Sequence, residues 1–131
     1  MIIKNKVNFY IKSVDLKPEE ISKDLGIFPD YFHSPLLKES GETIPGIWQL
    51  NSVLGETEPL ESHINILSGR LSIVGARISE ISNGKNAVIY CSVEVYGGKF
   101  SLQVPPKILL DIGRMGISLN IKTYFQKETQ V

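Results

Sequence analysis

One cysteine is too few for an internal disulfide, and two histidines, His33 and His63, are too few and too far apart in the chain to suggest a metal site. Cys91 falls in an apolar alternating run and reads as a small buried hydrophobe in a protein of a reducing compartment. Charge of one sign is nowhere concentrated. Fourteen basic residues balance fourteen acidic ones without a run of either. The electrostatic footprint of a phosphate-backbone binder is therefore missing, and nucleic acid is not expected as a partner. Long apolar runs are absent too: windows such as Ile108–Ile112 fall far short of the roughly 20 residues that span a bilayer. The opening Met1-Ile2-Ile3-Lys4-Asn5-Lys6 lacks the apolar core and cleavage site of a signal peptide. The expectation is a cytoplasmic protein with no membrane contact.

Catalytic signatures are also scarce. There is no Gly-x-Ser-x-Gly elbow to present a nucleophile. No glycine-rich turn followed by Lys-Ser/Thr joins a strand to a helix, which disfavours nucleotide binding. Glu19 and Glu20 are adjacent, so on a helix their carboxylates diverge, and their place in a first turn is explained by the helix dipole. These absences lead to the expectation of a protein that is not an enzyme and uses no metal or cofactor.

What is present is the patterning of one ordinary globular domain. Its 131 residues, 42% apolar and 21% charged, suffice for a core without staples. Val7, Phe9 and Ile11 alternate with polar neighbours, predicting a first strand over Lys6–Ser13. Pro18 opens a helix with Ile21 and Leu25 on one face, and Gly26 stops it. Residues 28–46 form an unusually long connection, rich in proline and glycine yet containing Phe28, Tyr31, Phe32, Leu36 and Leu37. A second strand over Ile47–Ser52 points Trp48 and Leu50 one way and Gln49 and Asn51 the other.

Leu60, Ile64, Leu67 and Leu71 make the clearest helical stripe. Val74, Ile78 and Ile81 continue it past a joint weakened by Gly69 and Gly75, so two short helices or one kinked helix are expected. Ala87, Ile89, Cys91, Val93 and Val95 line one face of a long strand. Gly97-Gly98 reads as a hairpin turn into a further strand with Phe100, Leu102 and Val104 inward. Pro105-Pro106 then opens a helix carrying Ile108, Leu109, Ile112 and Met115. Leu119 and Ile121 lie on a closing strand, and the polar tail from Gln126 is expected to fray. The fold class that follows is a single α+β domain over residues 1–131, a mainly antiparallel sheet of about five strands with helices on one face. A weak internal echo at Phe9–Ile27 and Phe100–Ile117 is of the kind left by a ferredoxin-like plait.

Four motifs carry a resemblance: Lys17-Pro18-Glu19-Glu20-Ile21, Leu25-Gly26-Ile27-Phe28-Pro29, Gly46-Ile47-Trp48-Gln49-Leu50 and the segment from Met115-Gly116-Ile117 to Tyr124. Together the series resembles a bacterial family known as domain of unknown function 4279. Lys17 stands where that pattern usually has an acidic cap and Met115 where it has leucine, and Tyr31-Phe32 follow Pro29 where a tryptophan would be expected. The resemblance implies a fold and attaches no catalytic residue.

Non-enzymatic binding is the leading functional expectation, with another protein as the partner. Its sharpest form is an immunity-type protein that neutralises a toxin by covering its active site, an analogy from size and neutrality. A small-molecule-binding or regulatory module comes second and a cryptic enzyme third. Trp48, in an alternating strand, is expected in the core rather than at an interface. The candidate partner-binding residues are Tyr31, Phe32 and His33, which cluster aromatic area on a connection that must run near the surface.

Overall fold

The computed structural model describes residues 2–127. The chain runs β1 (Ile2–Ser13), α1 (Pro18–Leu25), β2 (Tyr31–His33), β3 (Leu36–Leu37), β4 (Thr43–Ile44), β5 (Gly46–Asn51), α2 (Leu60–Ser72), α3 (Gly75–Ser82), β6 (Asn86–Tyr96), α4 (Pro106–Arg114) and β7 (Ser118–Gln126). Five strands form one sheet in the order β2-β5-β1-β6-β7, and β3 pairs with β4 in a separate ribbon. Every pairing in the large sheet is antiparallel except β6 with β7. The α+β class and the mainly antiparallel five-stranded sheet expected from the sequence are both present.

Alternation decides which face of the sheet is covered. Val7, Phe9 and Ile11 of β1, Trp48 and Leu50 of β5, and Ala87 through Val95 at odd positions of β6 are buried together. The helices close over that face with α2 against β1 and α1 against β5. Leu60, Ile64, Leu67 and Leu71 bury the stripe of α2, and Pro18, Ile21 and Leu25 that of α1. The helical stripe breaks after Ser72, where Ile73 turns out to solvent before Ile78 of α3 returns to the core. Among the described residues no helix covers the opposite face of the sheet. Its β1 residues Lys4, Lys6 and Lys12 are exposed while Asn8 and Tyr10 are half-buried.

Several expectations are corrected. β1 begins at Ile2 rather than Lys6, and β5 spans Gly46–Asn51 rather than Ile47–Ser52. The connection at 28–46 holds three short strands. The hairpin at Gly97-Gly98 does not form, because the edge of β6 that it would have used pairs with β7, from Val88 opposite Ser118 to Tyr96 opposite Gln126. Parallel neighbours need a crossover. Lys99–Pro105 is part of that crossover and belongs to no strand. Phe100, Leu102 and Val104 still pack against the core while Ser101 and Gln103 face solvent, so the inward set was right and the pairing wrong. Gly97 and Gly98 both adopt positive φ, as primed turns require, but they aim the chain out of the sheet.

The count of five strands survives because β2 replaces the missing hairpin partner. The plait's echo does not extend to pairing, since its second copy has no strand at Phe100. Leu109 is exposed, leaving Ile108 and Ile112 as the buried residues of α4. Gln126 ends β7, and the remainder of the tail expected to fray, residues 128–131, lies outside the described residues.

Candidate functional site

The long connection is built around β2, an edge strand three residues long. Phe32 lies opposite Trp48, whereas Tyr31 and His33 lie opposite Gln49 and Ile47. Successive side chains of a strand point to opposite faces. The three residues singled out as a cluster are therefore divided. Tyr31 and His33, with ring centroids 5.8 Å apart, stand on the uncovered face of the sheet, and Phe32 stands on the helical side. The His33 Nδ1 lies 3.0 Å from the Ser34 carbonyl oxygen.

On the helical side Phe32 meets the exit of α1. A half-open groove of about 510 Å³ runs between them, walled by Pro18, Gly26, Ile27, Phe28, Pro29 and Phe32, with Glu19, Ser22 and Lys23 also lining it. Phe28 is 91% exposed and Phe32 56%. Ser22 is held from below, because its Oγ accepts a 3.0 Å hydrogen bond from the Trp48 Nε1–H. That bond ties α1 to β5. β2 approaches β5 so closely that a Cβ at Gly46 would lie 2.8 Å from Pro35 Cδ and 3.0 Å from the His33 carbonyl oxygen. The glycine is what lets the wall carrying Phe32 seat.

A second cavity, of about 340 Å³, lies where β5 ends beside β1 and includes Asn5, Asn8, Asn51, Ser52 and His63 in its lining. Ser52 Oγ accepts from the Leu54 N–H at 3.2 Å and shares a hydrogen bond of 2.7 Å with His63 Nδ1. The far ring nitrogen of His63, Nε2, is buried and has no partner among the described residues. Asn5 donates from Nδ2 to the Glu58 carbonyl oxygen at 2.9 Å, leaving its buried Oδ1 likewise unpartnered. Two residues of one polar cavity thus each hold a buried polar atom without a partner among the described residues. A serine–histidine relay would orient the far ring nitrogen with a carboxylate, and no carboxylate bonds His63 here. Among the described residues no three of His, Cys, Asp and Glu are grouped as a metal would need.

A family model described as a domain of unknown function (DUF4279) matches residues 3–126. The chain belongs to the DUF4279 family. No curated protein and no solved structure matches it. In this DUF4279 domain the motifs that carried the resemblance occupy structural positions. Gly46 permits the close approach of β2, Trp48 fills the core, and Gly26 ends α1. Pro18 and Glu19 of the first motif and Gly26, Ile27, Phe28 and Pro29 of the second also line the groove. Sequence reasoning placed Phe28 in the aromatic loop but left it out of the final binding set, weighed His63 only as a metal ligand, and missed Ser52 and Asn5. Phe28 could have been found from its place beyond a helix stop, where no periodicity gives it a buried face. The Ser52–His63 contact joins a strand exit to a helix and leaves no local signal.

Proposed function

We propose that this DUF4279 domain is a bacterial, cytoplasmic, non-enzymatic binding protein that grips another protein through the groove between α1 and β2. In its sharpest form it is an immunity-type protein that neutralises a toxin. One observation carries the reading: Phe28 and Phe32, two large apolar side chains left exposed, stand together in the groove, with exposed Leu36 and Leu37 close by in sequence. Scattered exposed apolar residues need no explanation, but a concentration of them marks an interaction surface. The groove is half-open and its polar lining is sparse, so it suits an apolar side chain from a protein surface better than an enclosed small molecule. Two phenylalanine rings beside two prolines supply rigid contact area at little cost in conformational entropy.

The test is co-purification of the domain with the products of its neighbouring genes, comparing the natural chain with Phe28→Ala/Phe32→Ala. Removing two aromatic anchors should weaken the complex at least about 30-fold, on the order of 2 kcal/mol or more. The melting temperature should stay within about 2 °C, because both side chains are exposed. Unchanged affinity in a folded double variant would remove the groove from the interface.

The polar cavity favours a second reading, a small-molecule module. His63 Nε2 and Asn5 Oδ1 are buried, unpartnered polar atoms on residues of the same cavity, and an amide carries both a donor and an acceptor to satisfy such atoms. Under that reading formamide or acetamide should raise the melting temperature of the natural chain and leave Asn5→Leu unaffected. Equal shifts in both proteins would count against it.

A further inference from the structure

The uncovered face of the sheet has a composition that the linear sequence conceals. All five tyrosines of the chain, Tyr10, Tyr31, Tyr90, Tyr96 and Tyr124, stand on it. So do Lys4, Lys6, Lys12 and Lys122, against Glu94 on the same face and the loop residue Glu56, which pairs with Lys6. A chain with equal numbers of acids and bases has thus gathered a basic, aromatic surface on one side. The lysines are held close to it. Lys12 Nζ lies 4.8 Å from the centroid of the Tyr10 ring, Lys122 Nζ 5.4 Å from that of Tyr124, and Lys4 Nζ 5.6 Å from that of Tyr96. Glu94 accepts a hydrogen bond from the Tyr96 hydroxyl at 2.6 Å, and Lys6 pairs with Glu56 at 3.8 Å.

We propose that this face is a second docking surface, separate from the groove, and that its occupant is an acidic segment of a partner protein. Charge complementarity selects the occupant: four lysines face two carboxylates, Glu94 and Glu56, so the face is net basic, and complementary potentials steer association. Tyrosine is the residue type that most often anchors such contacts, with a flat ring and a hydroxyl that stays hydrogen-bonded. Ammonium groups already resting on ring faces lose less freedom when a carboxylate arrives than free lysines would. From strand spacing and rise the face measures roughly 650 Å², close to the ~800 Å² that one partner contributes to a standard interface. Single-stranded nucleic acid is the weaker fit. Bases would have to stack on rings that the ammonium groups occupy, and the chain as a whole is not basic.

The experiment uses fluorescent poly-L-glutamate as the acidic probe and a 15-nucleotide oligo(dT) as the competing class, each at low and physiological salt. The natural chain should bind poly-L-glutamate with an affinity that falls as salt rises. Lys12→Glu/Lys122→Glu should weaken binding at least tenfold, and Tyr90→Ser should weaken it several-fold at unchanged charge. Arg77→Glu/Lys107→Glu, the same change of charge on the helical side, should bind as the natural chain does. Should charge reversal cost stability, Lys12→Ser/Lys122→Ser gives the same test without introducing acids. Equal loss in both reversed variants would reduce the effect to net charge and overturn the proposal. Tighter binding of oligo(dT), or no binding of poly-L-glutamate, would overturn it too.

Discussion

Trp48→Ala lowers the unfolding free energy by about 3–5 kcal/mol, the range for removing a large aromatic side chain from a packed core. Three contributions add at this position. The indole is completely buried, so its whole apolar area returns to water or leaves a cavity. Its ring meets Phe9 edge-on at a centroid distance of 6.4 Å, a geometry that contributes beyond area. Its Nε1–H also satisfies Ser22 Oγ, so truncation leaves a part-buried hydroxyl without its donor and loosens α1 from β5. Equilibrium denaturation in urea gives the difference directly. A loss below about 1 kcal/mol would mean that the core around β5 repacks or that Trp48 serves an interface instead.

Cys91 should be almost inert toward Ellman's reagent in the native protein. The thiol is fully buried in the central part of the sheet, with Val7 and Ile121 beside it on the neighbouring strands. Burial pushes its pKa up to about 12 from an ordinary 9.0. At pH 8 the reactive thiolate is then roughly a thousandfold scarcer than in the unfolded chain, before steric exclusion is counted. Labelling in guanidinium should therefore outpace labelling of the native protein by about 10³ or more. Complete modification within minutes, with circular dichroism unchanged, would show that β6 opens locally. The same shift has a definite sign in stability. The protonated thiol suits the fold, so its contribution is intact below about pH 9 and is lost as the pH rises from there toward about 12.

Local physics made most of the fold legible and left the sites dark. The stripe Leu60, Ile64, Leu67 and Leu71 fixes a helix because its period belongs to no other structure, and Pro106 and Gly26 mark their helix ends chemically. Phe100, Leu102 and Val104 alternate as a strand does, yet an extended crossover lying on a core alternates in the same way. The difference is made by β7, which arrives later in the chain and takes the edge of β6. β2 is too short for any period to register, so the opposite directions of Phe32 and Tyr31 emerge only from pairing with β5. The lysines and tyrosines of the uncovered face are spread from Lys4 to Tyr124, and no run in the sequence could announce them.

The place of β1 at the centre of the sheet has a consequence for the order of events during synthesis. The strand is synthesised before either of its partners, so both of its edges stay unpaired until they arrive: Phe9 meets Leu50 on one side and Ile89 on the other. Until β6 emerges, the nascent chain holds a long apolar strand with an open backbone edge, the kind of template that recruits foreign strands. The parallel pairing of β6 with β7 cannot zip until the crossover through α4 is in place, which puts the slowest step after β7 has emerged. Truncation after α3 should leave an aggregation-prone fragment rather than a smaller folded domain.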